Sequence, residues 1–329
     1  MVPKGICVFQ NLTKLHVFRC ESLRYLFSHS IVNSLVALEY LSINYCKALE
    51  EIIGREEEEN TSETRNIVMD ANTPSNLHHF TQVVAMDAKR NGVIDMLEFP
   101  KLKRLVLNDL SNFKSFRSES NNDGIIRTLF NQVTLPNMEK LRIWGLQYIV
   151  KLVNMRAENS SKSLQNLKRL DVKDCKSLEV LFDFECLTIP KDHRVFENLT
   201  SIVVKGCGIL KYLFSPSMAY SLVALNILEV SNCESIKAIV GKEEKGTSEI
   251  QIVEAMKTRV VFPKLDRLLL RNLSSIQMFC SQNCELEFPL LEDLIIENCR
   301  MMRKLSPWPV IAPKLDISDL LDKAGSLED

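Results

Sequence analysis

The sequence predicts an α/β solenoid, a curved stack of similar coils. A parallel β-sheet lines its concave face, and irregular loops, 3₁₀ turns or short helices form its convex face. Three observations predict this fold: one apolar template recurs nine times in 329 residues, its spacing alternates between strand and turn, and whole segments of the chain repeat.

The template places apolar residues at positions 0, +3, +6, +8, +11, +14 and +17, and every position is apolar in every copy. The chain is only 46% hydrophobic, so this regularity marks a structural unit. The pattern L-x-x-L-x-L-x-x-C-x-x-L is that of a leucine-rich repeat. The nine copies start at Phe9, Leu35, Phe99, Leu135, Leu164, Phe196, Leu222, Phe262 and Phe288.

Each position of the template has a predicted place in the coil. Positions +6 and +8 alternate, so they enter the core from a short strand over about +5 to +9. Positions +11, +14 and +17 have the spacing of a turn or short helix that leads the chain back along the outer face. A single coil cannot bury its apolar side, so the copies must stack into a curved horseshoe.

A longer repeat indicates one continuous domain. Ser34 to Cys46 reappears as Ser221 to Cys233, and a glutamate-rich stretch follows both segments. We therefore expect one solenoid over residues 1–305, followed by a capping segment over 306–329. Insertions are predicted at about 55–97, 118–132, 183–195 and 241–261, with a short helix near 81–89 in the first. No cap precedes the first copy, so we expect the chain to be a fragment or to lack an N-terminal neighbour.

The composition favours a reducing compartment. Six of the ten cysteines occupy position +11, where other copies carry Leu110, Leu146 and Leu273. A position that accepts Leu is a buried apolar one, so these cysteines are predicted to be free packing thiols. The N-terminus has no apolar signal region, and no apolar run is long enough to span a bilayer. These features predict a cytoplasmic protein without a membrane span.

No catalytic, cofactor or metal motif is complete. His78 and His79 have no cysteine nearby, and the pair Cys280 and Cys284 lacks a second ligand pair, so both are interpreted as packing or chance. Gly206 and Gly208 lack the third glycine of a dinucleotide loop, and no phosphate-binding loop is present. The sequence therefore predicts a protein that is not an enzyme and has no cofactor.

The outward positions of each strand, +5, +7, +9 and the edge position +10, predict a binding surface. Cations outnumber acids there in a chain of net charge −1, and aromatic side chains lie beside them. The cations are spread over nine coils, too thinly for nucleic acid, so a protein ligand with acidic patches is expected. For any single one of these residues, an ordinary solvent-exposed strand position remains a simpler interpretation than a binding role. The candidate residues are Lys14, Phe18, Arg19, Tyr40, Tyr45, Arg104, Lys140, Arg142, Trp144, Arg169, Lys173, Lys205, Arg267 and Arg271.

Three features of the sequence resemble plant intracellular immune receptors. They are the coils with cysteine at +11, the paired segments SLVALEYLSINYCKALEEIIG and SLVALNILEVSNCESIKAIVG, and the openings FPKLKRL and FPKLDRL. The resemblance is to the C-terminal leucine-rich-repeat region of the coiled-coil nucleotide-binding class. It implies recognition of a pathogen effector or a guarded host protein, and a part in autoinhibition. A nucleotide-binding domain in cis or in trans is the further partner that it implies.

Two other functions fit the same sequence. A substrate adaptor of a ubiquitin ligase would use the same concave surface, although no F-box-like segment precedes the first copy. A truncated resistance-gene remnant without signalling activity would also show these repeats. Neither alternative changes the predicted fold.

Overall fold

The computed structural model describes residues 9–54, 97–117, 128–130, 133–154, 164–183, 195–241, 258–280 and 284–315. The helix expected near 81–89 and most of the segment 306–329 lie outside these residues. Within them, every paired strand is parallel and two helices of four residues occur, α1 (His29–Val32) and α2 (Pro216–Ala219).

One nine-stranded sheet forms the concave face, and each copy of the template supplies one five-residue strand. Neighbouring strands pair residue for residue, so equivalent positions of successive coils form straight rows across the sheet. In sheet order the strands are β1 (Lys14–Phe18), β3 (Tyr40–Asn44), β6 (Arg104–Asn108), β9 (Lys140–Trp144), β11 (Arg169–Lys173), β13 (Ser201–Lys205), β14 (Ile227–Ser231), β17 (Arg267–Arg271) and β20 (Asp293–Glu297).

The template positions form the core. In the inner coils, side chains at +6 and +8 such as Leu41, Ile43, Leu228 and Val230 are fully buried. In every coil the backbone N–H at +3 donates to the C=O at position 0, at 2.9–3.4 Å, which closes the turn before the strand. The confirmed fold is therefore a leucine-rich-repeat solenoid in which burial comes from stacking rather than from any single coil.

The convex side has more strands than the spacing predicts. The turns and short helices are present, and two further rows of short parallel strands lie between them. The second row contains β2 (Tyr25–Ser28), β4 (Glu51–Gly54), β7 (Ser115–Arg117), β10 (Lys151–Asn154), β12 (Val180–Asp183), β15 (Ala238–Val240) and β18 (Met278–Cys280). The third contains β5 (Leu97–Glu98), β8 (Val133–Thr134), β16 (Thr258–Val261), β19 (Cys284–Glu287) and β21 (Val310–Ile311).

One conformation ends every concave strand. The residue at +10 has a positive φ of 50–67° in all nine coils, and in the first eight its N–H donates to the last strand residue of the next coil. In the seven later coils this residue is Gly, Asp or Asn, which tolerate this conformation. At Gly145 and Gly206 a Cβ would also collide with the carboxylate of Asp109 or Asp174 in the preceding coil.

Candidate functional site

All fourteen predicted surface residues lie on the outward side or the edge of the nine-stranded sheet. Each is exposed or half-exposed, and the alternating residues of the same strands point into the core. The register read from the sequence is therefore the register of the structure. The fourteen residues do not form one patch, because their contacts divide them into an N-terminal group, a central cluster and a C-terminal group.

An aromatic cluster lies at the N-terminal edge of the sheet, at the ends of β1 and β3. The Phe18 and Tyr45 rings meet edge to face with centroids 5.5 Å apart, and they are 56% and 41% exposed. The Arg19 guanidinium lies 5.0 Å from the Phe18 ring centroid and 6.0 Å from that of Tyr45. Arg19 and Tyr45 both occupy position +10, where φ is positive and later coils have small residues. A large side chain in this conformation is strained.

The first residues of β1, β3, β6, β9 and β11 form what we call the N-terminal row: Lys14, Tyr40, Arg104, Lys140 and Arg169. Arg104 lies over the Tyr40 ring, with its guanidinium carbon 5.3 Å from the centroid. Among the residues that the structure describes, none of the row's four cations forms an ion pair. The acids beside the row are already paired.

Those acids sit one residue before the strands. Glu39 pairs with Lys103 at 3.2 Å, and Glu139 pairs with Lys168 at 3.3 Å. These pairs leave the positive charge of the row uncompensated. Sequence reasoning missed this arrangement, although the charges at position +4 of the template contained the signal.

A shallow cavity of about 340 Å³ opens at the N-terminal end of this row. His16 also lines it and packs edge to face on Tyr40, with ring centroids 4.8 Å apart. His16 is not among the fourteen residues predicted from the sequence, although it occupies an outward position of β1. The cavity is lined by Lys14, His16, Glu39, Tyr40, Lys103 and Arg104.

Trp144 lies at the centre of the sheet and is already well contacted. Its ring has the Arg142 guanidinium carbon at 4.7 Å and the Lys173 ammonium at 4.4 Å from the centroid. Its indole N–H donates to Asp171 at 3.2 Å, and Arg142 pairs with the same carboxylate at 3.4 Å. Lys173 also pairs with Asp171, at 3.8 Å, so one acid contacts the ring and both cations, and Trp144 is held in place while half-exposed.

The C-terminal cations are paired across the strands. Lys205 meets Glu229 at 2.6 Å, Arg267 meets Asp293 at 2.9 Å, and Arg271 meets Glu297 at 3.1 Å. Apolar side chains such as Leu269 lie between these pairs on the outward side. This half of the concave face therefore neutralises its own charge.

The cysteines at position +11 are free, as predicted, and those of the inner coils are buried. Cys20, in the first coil, is exposed, because no described coil covers its outer side. A hydrogen bond with the Cys175 thiol, followed by burial, raises the pKa of Cys207 to about 12. A hydrogen bond with Cys207 and burial raise the pKa of Cys233 as well. These thiols are therefore protonated packing groups at neutral pH.

The interpretation of Cys280 and Cys284 as unbonded packing residues is wrong, because the structure joins them by a disulfide. Cys280 ends β18 and Cys284 begins β19, and their Cα atoms lie 6.6 Å apart. In the described part of the chain, no three His, Cys, Asp or Glu residues are grouped to hold a metal ion. No helix in that part is long and apolar enough to cross a membrane.

Comparison of the sequence with known proteins identifies the family of this chain. The profile of plant disease resistance protein RPS2-like leucine-rich repeats matches residues 1–47 and 187–316, together more than half of the chain. The probable disease resistance protein At5g47260 of Arabidopsis thaliana is 25% identical over 148 residues, 44% of this chain. The match spans 14% of that relative's length.

Two solved structures of repeat proteins are also similar. The leucine-rich-repeat protein LIC12759 of Leptospira interrogans shares 14% identity over 94% of this chain and 81% of its own, with a TM-score of 0.25. A TLR13–ssRNA13 complex shares 13% identity over 93% and 54% of the two chains, with a TM-score of 0.19. The sequence profile, which covers both ends of the solenoid, identifies the chain as a member of the RPS2-like leucine-rich-repeat family of plant disease resistance proteins.

Proposed function

We propose that this chain is the non-catalytic recognition module of a plant innate-immune receptor. Its concave face binds a pathogen effector or a guarded host protein, and the module helps to keep the receptor inactive until that protein arrives. It acts in the cytoplasm, together with a nucleotide-binding domain in cis or in trans. Membership of a disease resistance family supports the recognition role.

The exposed cluster of Phe18, Arg19 and Tyr45 carries the proposal. Aromatic rings beside an arginine are the residue types that dominate the binding energy of protein interfaces. Arg19 and Tyr45 keep a strained backbone conformation that Gly or Asn would adopt freely, and neither side chain packs into the core. Strain without a packing benefit is typical of a position retained for contact with a partner.

The shape of the sheet supports the same function. Nine strands in register present continuous rows of side chains, and no element of the described chain lies over them. A parallel sheet is ordinarily covered on both faces. A protein partner on the concave face would provide that cover.

Site-directed photocrosslinking tests the proposal. A benzophenone amino acid replaces Phe18 or Tyr45 on the concave side, and Tyr220 after α2 as the control, in the receptor expressed in leaves with and without pathogen challenge. Tyr220 is similarly exposed, at 45%, so reagent access is matched. Crosslinks to a defined effector or host protein are expected from Phe18 and Tyr45 only.

Two results contradict the proposal. Crosslinks that form equally from Tyr220 show that the concave face is not the binding surface. An unchanged crosslink pattern after challenge, in a receptor that still responds, shows that recognition occurs outside this module. For autoinhibition, a receptor with Phe18→Ala and Tyr45→Ala is expected to lose recognition without becoming active.

A further inference from the structure

Among the residues that the structure describes, the cations of the concave strands that lack an ion pair are confined to the N-terminal half of the sheet. Arg104, Lys140 and Arg169 begin three consecutive strands of the sheet, and Lys14 begins the first. The cations of the C-terminal half pair with acids on neighbouring strands. Uncompensated positive charge on adjacent strands is therefore a local feature, whereas the sequence alone shows only a weak excess over nine coils.

We propose that strands β1, β3, β6, β9 and β11 bind an acidic, extended segment of the partner protein, which lies across the strands along the N-terminal row. This inference rests on the proposed function, since it names the chemistry of the protein that the concave face recognises. The acidic side chains of the segment form ion pairs with Lys14, Arg104, Lys140 and Arg169.

The dimensions of the row fit such a segment. Adjacent strands lie about 4.8 Å apart, so the five residues span roughly 19 Å. An extended chain advances about 3.4 Å per residue, so about six residues of the partner cover the row. Only two or three of these need be Asp or Glu to reach the cations, because Lys and Arg side chains are long and flexible.

The cavity at the end of the row gives the segment a defined position. Lys14, Lys103 and Arg104 surround it, and Glu39, the acid in its lining, pairs with Lys103. One carboxylate of the partner can enter between Lys14 and Arg104, with Tyr40 and His16 against its aliphatic part. This combination of cations and aromatic rings favours a protein side chain.

A nucleic acid fits the surface less well. Phosphate backbones are bound by dense basic stripes together with aromatic rings on which successive bases stack. The row has a single aromatic residue, Tyr40, and its ring already contacts His16 and Arg104. The N-terminal row therefore favours discrete carboxylates over a continuous line of phosphates.

Titration of the purified chain with two fluorescein-labelled peptides and one labelled oligonucleotide at roughly 150 mM salt tests the inference. The probes are deca-glutamate, deca-lysine and a single-stranded deoxythymidine decamer. The test variant is Arg104→Glu with Lys140→Glu, and the matched control is Arg267→Glu with Arg271→Glu, which changes the net charge equally. Arg104→Gln with Lys140→Gln is the milder test pair if the glutamate pair does not fold.

Deca-glutamate alone is expected to bind the wild-type chain. Its affinity should fall at least about tenfold in the test variant and less than about threefold in the control, because charges beyond ~8 Å are screened. No deca-glutamate binding, equal losses in both variants, or binding of the deoxythymidine decamer in its place would overturn the inference.

The two proposals fail separately. If the protein crosslinked from Phe18 still binds the test variant, the acidic segment is wrong and concave recognition stands. If deca-glutamate behaves as expected while crosslinks form equally from Tyr220, the basic surface stands and the recognition proposal fails.

Discussion

The two halves of the concave sheet have the same backbone and opposite surface chemistry. In the N-terminal half, the cations that start the strands form no ion pair with any described residue, and exposed aromatic residues lie at the strand ends. In the C-terminal half, ion pairs join neighbouring strands and asparagine residues occupy the ends. The comparison teaches that stacking fixes the shape of every coil, while the outward positions can differ freely between coils.

The strand ends show the contrast most directly. Asn272 donates its side-chain amide to Asn232 at 2.8 Å, and Asn298 donates to Asn272 at 2.8 Å, so the C-terminal edge is a ladder of hydrogen bonds. Arg19 and Tyr45 occupy the equivalent positions in the first two coils. At position +10, the C-terminal edge therefore has residues that tolerate a positive φ, and the N-terminal edge has large residues that do not.

The largest expected effect concerns the core that both halves share. Leu228→Asp places a carboxylate in a fully buried position and should lower the free energy of unfolding by about 4 kcal/mol or more. Leu15→Asp, at the half-buried equivalent position of β1, should have a smaller effect. Urea denaturation followed by circular dichroism measures both. A Leu228→Asp chain as stable as the wild type would show that the core register is wrong.

A buried thiol of the sixth coil should make stability depend on pH. The pKa of Cys207 is raised, so its contribution to stability is complete below the unfolded value of about 8.5 and disappears as pH rises towards about 12. By pH 10 the loss is roughly 2 kcal/mol for this thiol. Cys207→Ala should reduce the decline in stability between pH 7 and pH 10, measured by denaturation. Leu146→Ala, at the same position of the fourth coil, should leave that decline unchanged.

Replacing a strained residue should stabilise the N-terminal edge. Tyr45→Asn places a tolerant residue at a φ of 57° and should raise the free energy of unfolding by about 1 kcal/mol. The reciprocal change, Asn272→Tyr, should destabilise by a similar amount and break the asparagine ladder. Thermal melting compares the two. If Tyr45→Asn lowers the melting temperature, the contact with Phe18 outweighs the strain.

The ion pairs of the C-terminal half should contribute least. A double-mutant cycle on Arg267 and Asp293 is expected to give a coupling energy of about 0.2–1 kcal/mol, since both side chains are substantially exposed. The same cycle on Arg104 and Glu139, which do not pair, should give a coupling energy near zero. A larger value for the second pair would remove the proposed difference between the halves.

Much of this structure follows from the sequence because the apolar template is strict. The spacing determines which residues enter the core, and side chains such as Trp144 and Arg142 must then point outward. The pairing of Arg267 with Asp293 was also accessible, because both residues hold position +5 in neighbouring copies and the strands are in register.

Other features depend on contacts that the template does not encode. The short strands of the convex side form where returning segments meet, and the disulfide of Cys280 and Cys284 joins the end of one such strand to the start of another. That Lys140 has no ion pair among the described residues follows from the pairing of Glu139 with Lys168 instead. Competition between several nearby charges is a three-dimensional question, so the counts of charges along the sequence gave only an overall excess.

All coils share the same backbone turn and the same strand end, and this affects how the chain can change during evolution. Each coil begins with the same hydrogen-bonded turn and ends its concave strand with the same left-handed residue, so neighbouring coils meet through equivalent junctions. Unequal recombination between coils can therefore add or remove a strand without a new turn. Such an event would shift part of the N-terminal row by one strand and change the spacing of its cations, while the fold is inherited intact.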